Sequence, residues 1–247
     1  MNLAISVCPN DIFVFAGLLL NKVSHSLKVS AYPIGKLNKL LLSGSYDFIK
    51  ASSIVMIRNE NYQVIRVGAS LVREKGPQLI RRRNPVFRKI VGVPSLNSTA
   101  ALLAKKYYPQ LEQRIYPLKE LSNLVADGDL AYAVIINEDM NRLEELGLES
   151  ICDLGLRWNE ENSAALPLGL FGAHSRLSFN QIDNFEQQVD RSVQWARCHP
   201  QEAIKLSQSY AGEAKINATH IQLFTKDAHF NPQIPHYVEK LSKSLNL

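Results

Sequence analysis

The sequence is poor in everything that would staple, anchor or load a chain with a known cofactor. It has three cysteines, Cys8, Cys152 and Cys198, an odd number with no C-x-x-C pair. A disulfide framework and a cysteine zinc site are therefore not expected. The six histidines, His25, His174, His199, His220, His229 and His236, form no H-x-x-x-H pair, so no metal site is supported. There is no Gly-x-Gly-x-x-Gly, no P-loop and no Gly-x-Ser-x-Gly elbow, which removes the usual signals of nucleotide use and serine-hydrolase chemistry. The longest apolar run, Ile12 to Leu20, is far short of the roughly 20 residues of a membrane span. The opening, Met1-Asn2-Leu3-Ala4-Ile5, lacks the basic region of a secretory leader and reads as a strand, so the cytoplasm is the expected compartment. The net charge of +5 suits an acidic ligand but is too small to argue for nucleic acid. Aromatic residues are scattered rather than interleaved with basic ones, which also speaks against nucleic acid.

What is present is ordinary globular material. Hydrophobic residues are 46% of the chain and charged residues 21%, enough for a core of normal size. With 247 residues the chain can form one large domain or two lobes. Short β-rich runs alternate with amphipathic ones, the pattern of α/β layers. Residues 3–7 read as a first strand, and 11–20 as a helix capped by Asn10 or Asp11. Strands are expected at 27–32, 46–49 and 64–71, with helices at 36–43, ended by Gly44, and at 53–60. A second α/β series follows: a strand at 90–93, a helix from Ser98 to Tyr107, a helix at 118–126, and a buried strand at 131–136. A short helix at 139–146 and a returning strand at 166–172 come next. The remainder reads as helices at 186–197, 200–210 and 217–224.

The segment 77–89, with Arg81-Arg82-Arg83 between Pro77 and Pro85, reads as a crossing. Its arginines are either an anion site or a solvated connecting strand. Residues 1–85 and 173–247 are then a larger, discontinuous lobe and 86–172 a smaller one. Two crossings imply a hinged cleft, and ligands in α/β sheets bind at the carboxyl ends of strands.

Two strand-to-helix turns are candidates for such a site: Cys8-Pro9-Asn10-Asp11 and Ser95-Leu96-Asn97-Ser98-Thr99. Each leaves backbone N–H groups free at a helix start. Ser98 and Thr99 add uncharged hydroxyl donors, which suit a carboxylate; plain N-capping is the alternative. Asp11 would repel an anion, so the first turn suits hydroxyl groups of a ligand. Lys50, after the short strand, is a candidate partner for an acidic ligand.

Several motifs resemble those of 1,4-dihydroxy-6-naphthoate synthase, of the futalosine route to menaquinone. They are Ser6-Val7-Cys8-Pro9-Asn10-Asp11-Ile12-Phe13-Val14-Phe15, Val93-Pro94 through Ser98-Thr99-Ala100, and Ala133-Val134-Ile135-Ile136-Asn137-Glu138. The run continues with Asp153-Leu154-Gly155-Leu156-Arg157-Trp158, Leu166-Pro167-Leu168-Gly169, Arg191-Ser192-Val193 and His199-Pro200-Gln201-Glu202-Ala203. The resemblance implies a two-lobed fold similar to type II periplasmic binding proteins. It also implies a lyase that splits cyclic dehypoxanthine futalosine without a metal or organic cofactor. Ser98 and Thr99 would hold the aromatic carboxylate, and Asn10, Asp11, Lys50 and Ser52 would line the first-lobe side.

The same resemblance exposes a departure. The family's histidine base falls at Asn137, and an amide does not take up a proton at neutral pH. Glu138 and Asp11 are the candidate substitutes, each needing a raised pKa. Two readings follow: a divergent lyase, or a non-catalytic paralogue that binds a small aromatic or carboxylate ligand in the same cleft. A monomer and a homodimer are both compatible with either.

Overall fold

The computed structural model describes residues 1–84, 89–136, 143–211, 221, 225–226 and 228–247. Strands run in chain order as β1 (Asn2–Ser6), β2 (Lys28–Tyr32), β3 (Phe48–Ser52), β4 (Tyr62–Val64), β5 (Ser70–Val72), β6 (Gln78–Arg82), β7 (Ile90–Val93), β8 (Glu112–Ile115), β9 (Tyr132–Ile135), β10 (Leu148–Asp153) and β11 (Leu166–His174). The helices are α1 (Pro9–Val14), α2 (Ala16–Leu19), α3 (Ile34–Leu42), α4 (Ser53–Ile57), α5 (Thr99–Tyr107), α6 (Leu121–Asp127), α7 (Leu154–Asn162), α8 (Phe179–Cys198), α9 (Pro200–Ala211) and α10 (Ile234–Leu245). Two compact units result: Met1–Leu71 with Pro167–Glu239, and Val72–Leu166 with Lys240–Leu247.

The first unit is built on a mixed sheet in the order β2-β1-β3-β11-β4, with β5 also paired to β11. β1 runs parallel to β2 and β3, while β11 returns antiparallel to β3. The carboxyl ends of β1 and β3 therefore point the same way and lead directly into α1 and α4. The helix expected over 11–20 is in fact two, α1 and α2, separated at Phe15. It starts earlier than Asn10, because Pro9 occupies the first helical turn with Cys8 as N-cap; proline lacks only an N–H that would be unsatisfied there anyway. Asn10 and Asp11 are consequently inside the helix and buried rather than capping it. The strand expected over 64–71 is likewise two, β4 and β5, with Gly68 at φ +66° in the turn between them. Leu3, Ile5, Ile12, Phe15, Phe48, Phe171 and Phe185 form the core, with the Phe48 and Phe185 rings stacked 3.7 Å apart. Each such side chain contributes about 1.5–3 kcal/mol by leaving water. The long α8 begins with a reciprocal capping box between Ser178 and Gln181.

The second unit carries a sheet in the order β10-β6-β9-β7-β8. β9 pairs parallel with β7 and antiparallel with β6. Part of the segment read as a crossing is β6: Gln78, Leu79 and Ile80 are buried between β10 and β9, so Gln78–Arg82 is an interior strand of this sheet. Arg81 stands opposite Glu149 on β10 and pairs with it at 2.7 Å, a cross-strand ion pair. Ile80, Leu121, Val125, Leu130, Ala133, Ile135 and Leu148 form this unit's core. No helix among the described residues is long and apolar enough to cross a membrane.

Candidate functional site

In the first unit the candidate residues gather around Lys50. This lysine lies not after the strand expected at 46–49 but within β3, whose last residue is Ser52. Its side chain is turned inward and is only 3% exposed. The ammonium donates to Asp11 Oδ1 at 2.9 Å, to the Gly68 carbonyl at 2.7 Å and to Ser70 Oγ at 3.0 Å. An ammonium has three donors, so all are taken by protein oxygens. An acidic ligand would have to displace one of them. Lys50 thus joins α1, β3 and the segment entering β5, and it supplies the countercharge that permits a carboxylate at position 11. Burial pushes the Asp11 carboxyl above its ordinary value, and the Lys50 ammonium offsets only part of that rise.

Two glycines make room for this arrangement. A Cβ on Gly169 of β11 would lie 2.8 Å from Lys50 Cε. At Gly68 the positive φ coincides with a ring contact: a Cβ would lie 2.8 Å from Phe171 Cδ2. Gly169 belongs to the Leu166-Pro167-Leu168-Gly169 segment, so the glycine of that motif has a physical reason.

Ser52 is half-buried at the end of β3. Its N–H donates to Asn38 Oδ1 at 2.9 Å, and its Oγ accepts from Asn38 Nδ2 at 3.0 Å. Asn10 is buried in the first turn of α1, and its side-chain oxygen has no hydrogen-bond partner among the described residues. Nothing in the sequence singles out Asn38 or Ser70, because a polar residue on an amphipathic helix or at a strand start looks like ordinary surface.

In the second unit Ser98 is the N-cap of α5. Its Oγ accepts from Ala101 N–H at 3.2 Å and donates to the Ser95 carbonyl at 2.9 Å. The capping role is therefore real, and the hydroxyl proton is already used within the turn. Thr99 differs: it is 3% exposed and its Oγ1 has no partner among the described residues. The Ala101 and Leu102 amides bond to Ser98, while those of Thr99 and Ala100 precede any intrahelical acceptor. Among the described residues the start of α5 therefore combines two amide donors without a partner and a buried, unpartnered hydroxyl, an uncharged setting for a carboxylate. Asn137 and Glu138 lie outside the described residues. No group of three or more His, Cys, Asp or Glu side chains among the described residues is arranged to hold a metal ion.

Comparison with known proteins agrees with this architecture. The chain is 29% identical over 219 residues to the 1,4-dihydroxy-6-naphthoate synthase of Thermus thermophilus, covering 86% of this chain and 80% of that one. It is 26% identical over 240 residues to the enzyme of that name from Streptomyces coelicolor, covering 92% and 85%. Among solved structures, a protein of Archaeoglobus fulgidus superposes with a TM-score of 0.87 at 21% identity, covering 99% of this chain and 96% of that one. The periplasmic aliphatic sulphonate binding protein of Escherichia coli superposes with a TM-score of 0.70 at 10% identity, covering 100% and 85%. The fold is thus that of the periplasmic binding proteins. A family model described as menaquinone biosynthesis matches residues 1–239, and the chain belongs to that family.

Proposed function

We propose that this chain is a lyase that releases 1,4-dihydroxy-6-naphthoate from cyclic dehypoxanthine futalosine, a cytoplasmic step of menaquinone biosynthesis. The observation that carries the reading is the start of α5, where the Thr99 and Ala100 amides and the buried Thr99 hydroxyl, without partners among the described residues, suit the naphthoate carboxylate. The names of the Thermus and Streptomyces relatives supply the product, and the motif resemblance supplies the substrate. In this reading Ser98 contributes by shaping the turn, and Asn10 and Ser52 hydrogen-bond oxygens of the ligand. Lys50 acts on Asp11 rather than on the ligand. With Asn137 in place of the family's histidine, the base is a carboxylate: Asp11, whose pKa burial raises, or Glu138, next to Asn137 in the chain. The partner is a small carboxylate, and the chemistry asks for no metal or organic cofactor. A monomer or a homodimer serves equally.

The test is to incubate the purified protein with cyclic dehypoxanthine futalosine and follow naphthoate release by chromatography. Slow turnover is expected, faster in Asn137→His. If both proteins are inert while naphthoate binds tightly, the chain is a binding protein and the lyase assignment is lost.

A further inference from the structure

Two serines in the first unit have their hydroxyl protons aimed by groups that cannot accept them. The Ser52 N–H is an obligate donor, so the atom of Asn38 that meets it at 2.9 Å is the oxygen. The other end of that amide is then Nδ2, which is 3.0 Å from Ser52 Oγ and can only donate. Ser52 Oγ is thus the acceptor in that bond, and its hydrogen points elsewhere. The same logic holds at Ser70. Its Oγ receives a bond from the Lys50 ammonium at 3.0 Å, and an ammonium accepts nothing. Neither hydroxyl proton meets a protein acceptor among the described residues, and both serines are half-buried rather than sealed in. Lys50 and Ser52 are two apart on β3 and so share a face of the strand, and Ser70 is bonded to Lys50 directly. A donor pulling on the oxygen also makes each O–H a stronger donor.

We propose that Ser52 and Ser70 are hydrogen-bond donors to hydroxyl or carbonyl oxygens of the ligand, and that Asn38 and Lys50 are positioning residues that set this polarity. The proposal rests on the reading of the first unit as ligand-binding, and it adds Asn38 and Ser70 to that reading.

Calorimetric titration with 1,4-dihydroxy-6-naphthoate tests it. Asn38→Asp replaces the donor at Ser52 Oγ by an acceptor of the same shape, so the Ser52 proton turns inward. Affinity is expected to fall about tenfold, the upper end for one net hydrogen bond. Ser70→Ala is expected to lose a similar factor, and Ser70→Thr, which keeps the hydroxyl, to stay near wild type. In a Ser52→Ala background Asn38→Asp should then have little further effect. If it weakens that background as much as it weakens wild type, it acts by simple charge repulsion and the proposal falls. Wild-type binding with unchanged affinity in Asn38→Asp and Ser70→Ala overturns this proposal alone. A wild-type protein that fails to bind overturns the ligand reading and the proposal together.

Discussion

Lys50 and Asp11 meet at 2.9 Å with their side chains only 3% and 5% exposed, one at the centre of a strand and the other in the first turn of a helix. Taking two charges out of water is expensive, and it is tolerated here because the ammonium also satisfies the Gly68 carbonyl and the Ser70 hydroxyl. The pair is therefore a poor device for stability and a good one for placing a carboxylate in an apolar setting, where its pKa rises.

Removing one partner leaves the other uncompensated. Lys50→Met is expected to cost about 3–5 kcal/mol in urea unfolding, and Lys50→Met with Asp11→Asn to recover a large part of it. A cost below about 1 kcal/mol for the single variant would show that the pair is not closed in solution.

Gly169→Ala puts a methyl group where Lys50 Cε lies, 2.8 Å away, on a side chain pinned by three bonds. A loss of about 1–3 kcal/mol is expected from overpacking. Unchanged thermal stability would mean that the lysine shifts freely, against the geometry described.

Ser98 and Thr99, adjacent in the chain, should respond in opposite senses. Ser98→Ala removes a helix cap and is expected to cost about 1 kcal/mol of stability. Thr99→Val removes a buried hydroxyl that has no partner among the described residues, so the free protein should hold or gain stability while naphthoate affinity drops. Paired thermal melts and calorimetry read both effects, and a Thr99→Val protein with full affinity would remove Thr99 from the site.

Acid should act on the first unit through Asp47. Burial opposes its charge, but the Asn2 amide at 2.7 Å and the Arg176 guanidinium at 2.8 Å outweigh that and hold the carboxyl below its ordinary value. The folded state thus favours the ionised form. The stability so gained is present above the unfolded value, near pH 4, and is lost as pH falls through the lower folded value. Arg176 is 44% exposed, so the contribution is screened and below about 1 kcal/mol. Asp47→Asn is expected to lower Tm slightly at pH 7 and to flatten its fall below about pH 4. An identical acid profile in wild type and variant would contradict this.

Much of the architecture was legible locally. Alternation of apolar runs marked β1, β2, β7 and β9, Ser98 marked the start of α5, and Gly44 marked a helix end and has positive φ. Weakly patterned elements were not legible. β8 reads Glu-Gln-Arg-Ile and is largely exposed, so it has no hydrophobic period to detect. Lys50 disguised the true extent of β3, because a lysine inside a strand ordinarily signals its end.

The order of α/β elements, the helix caps and the uncharged turn before α5 were determined by the sequence itself, because each depends on residues within a few positions of one another. The partners of the site residues were decided only by the tertiary structure. Lys50 meets Asp11 across 39 positions, and Ser52 meets Asn38 across 14. Periodicity reports which face a side chain occupies, but the hydrogen bonds of a buried polar group are set by whichever distant segments the fold stacks against it.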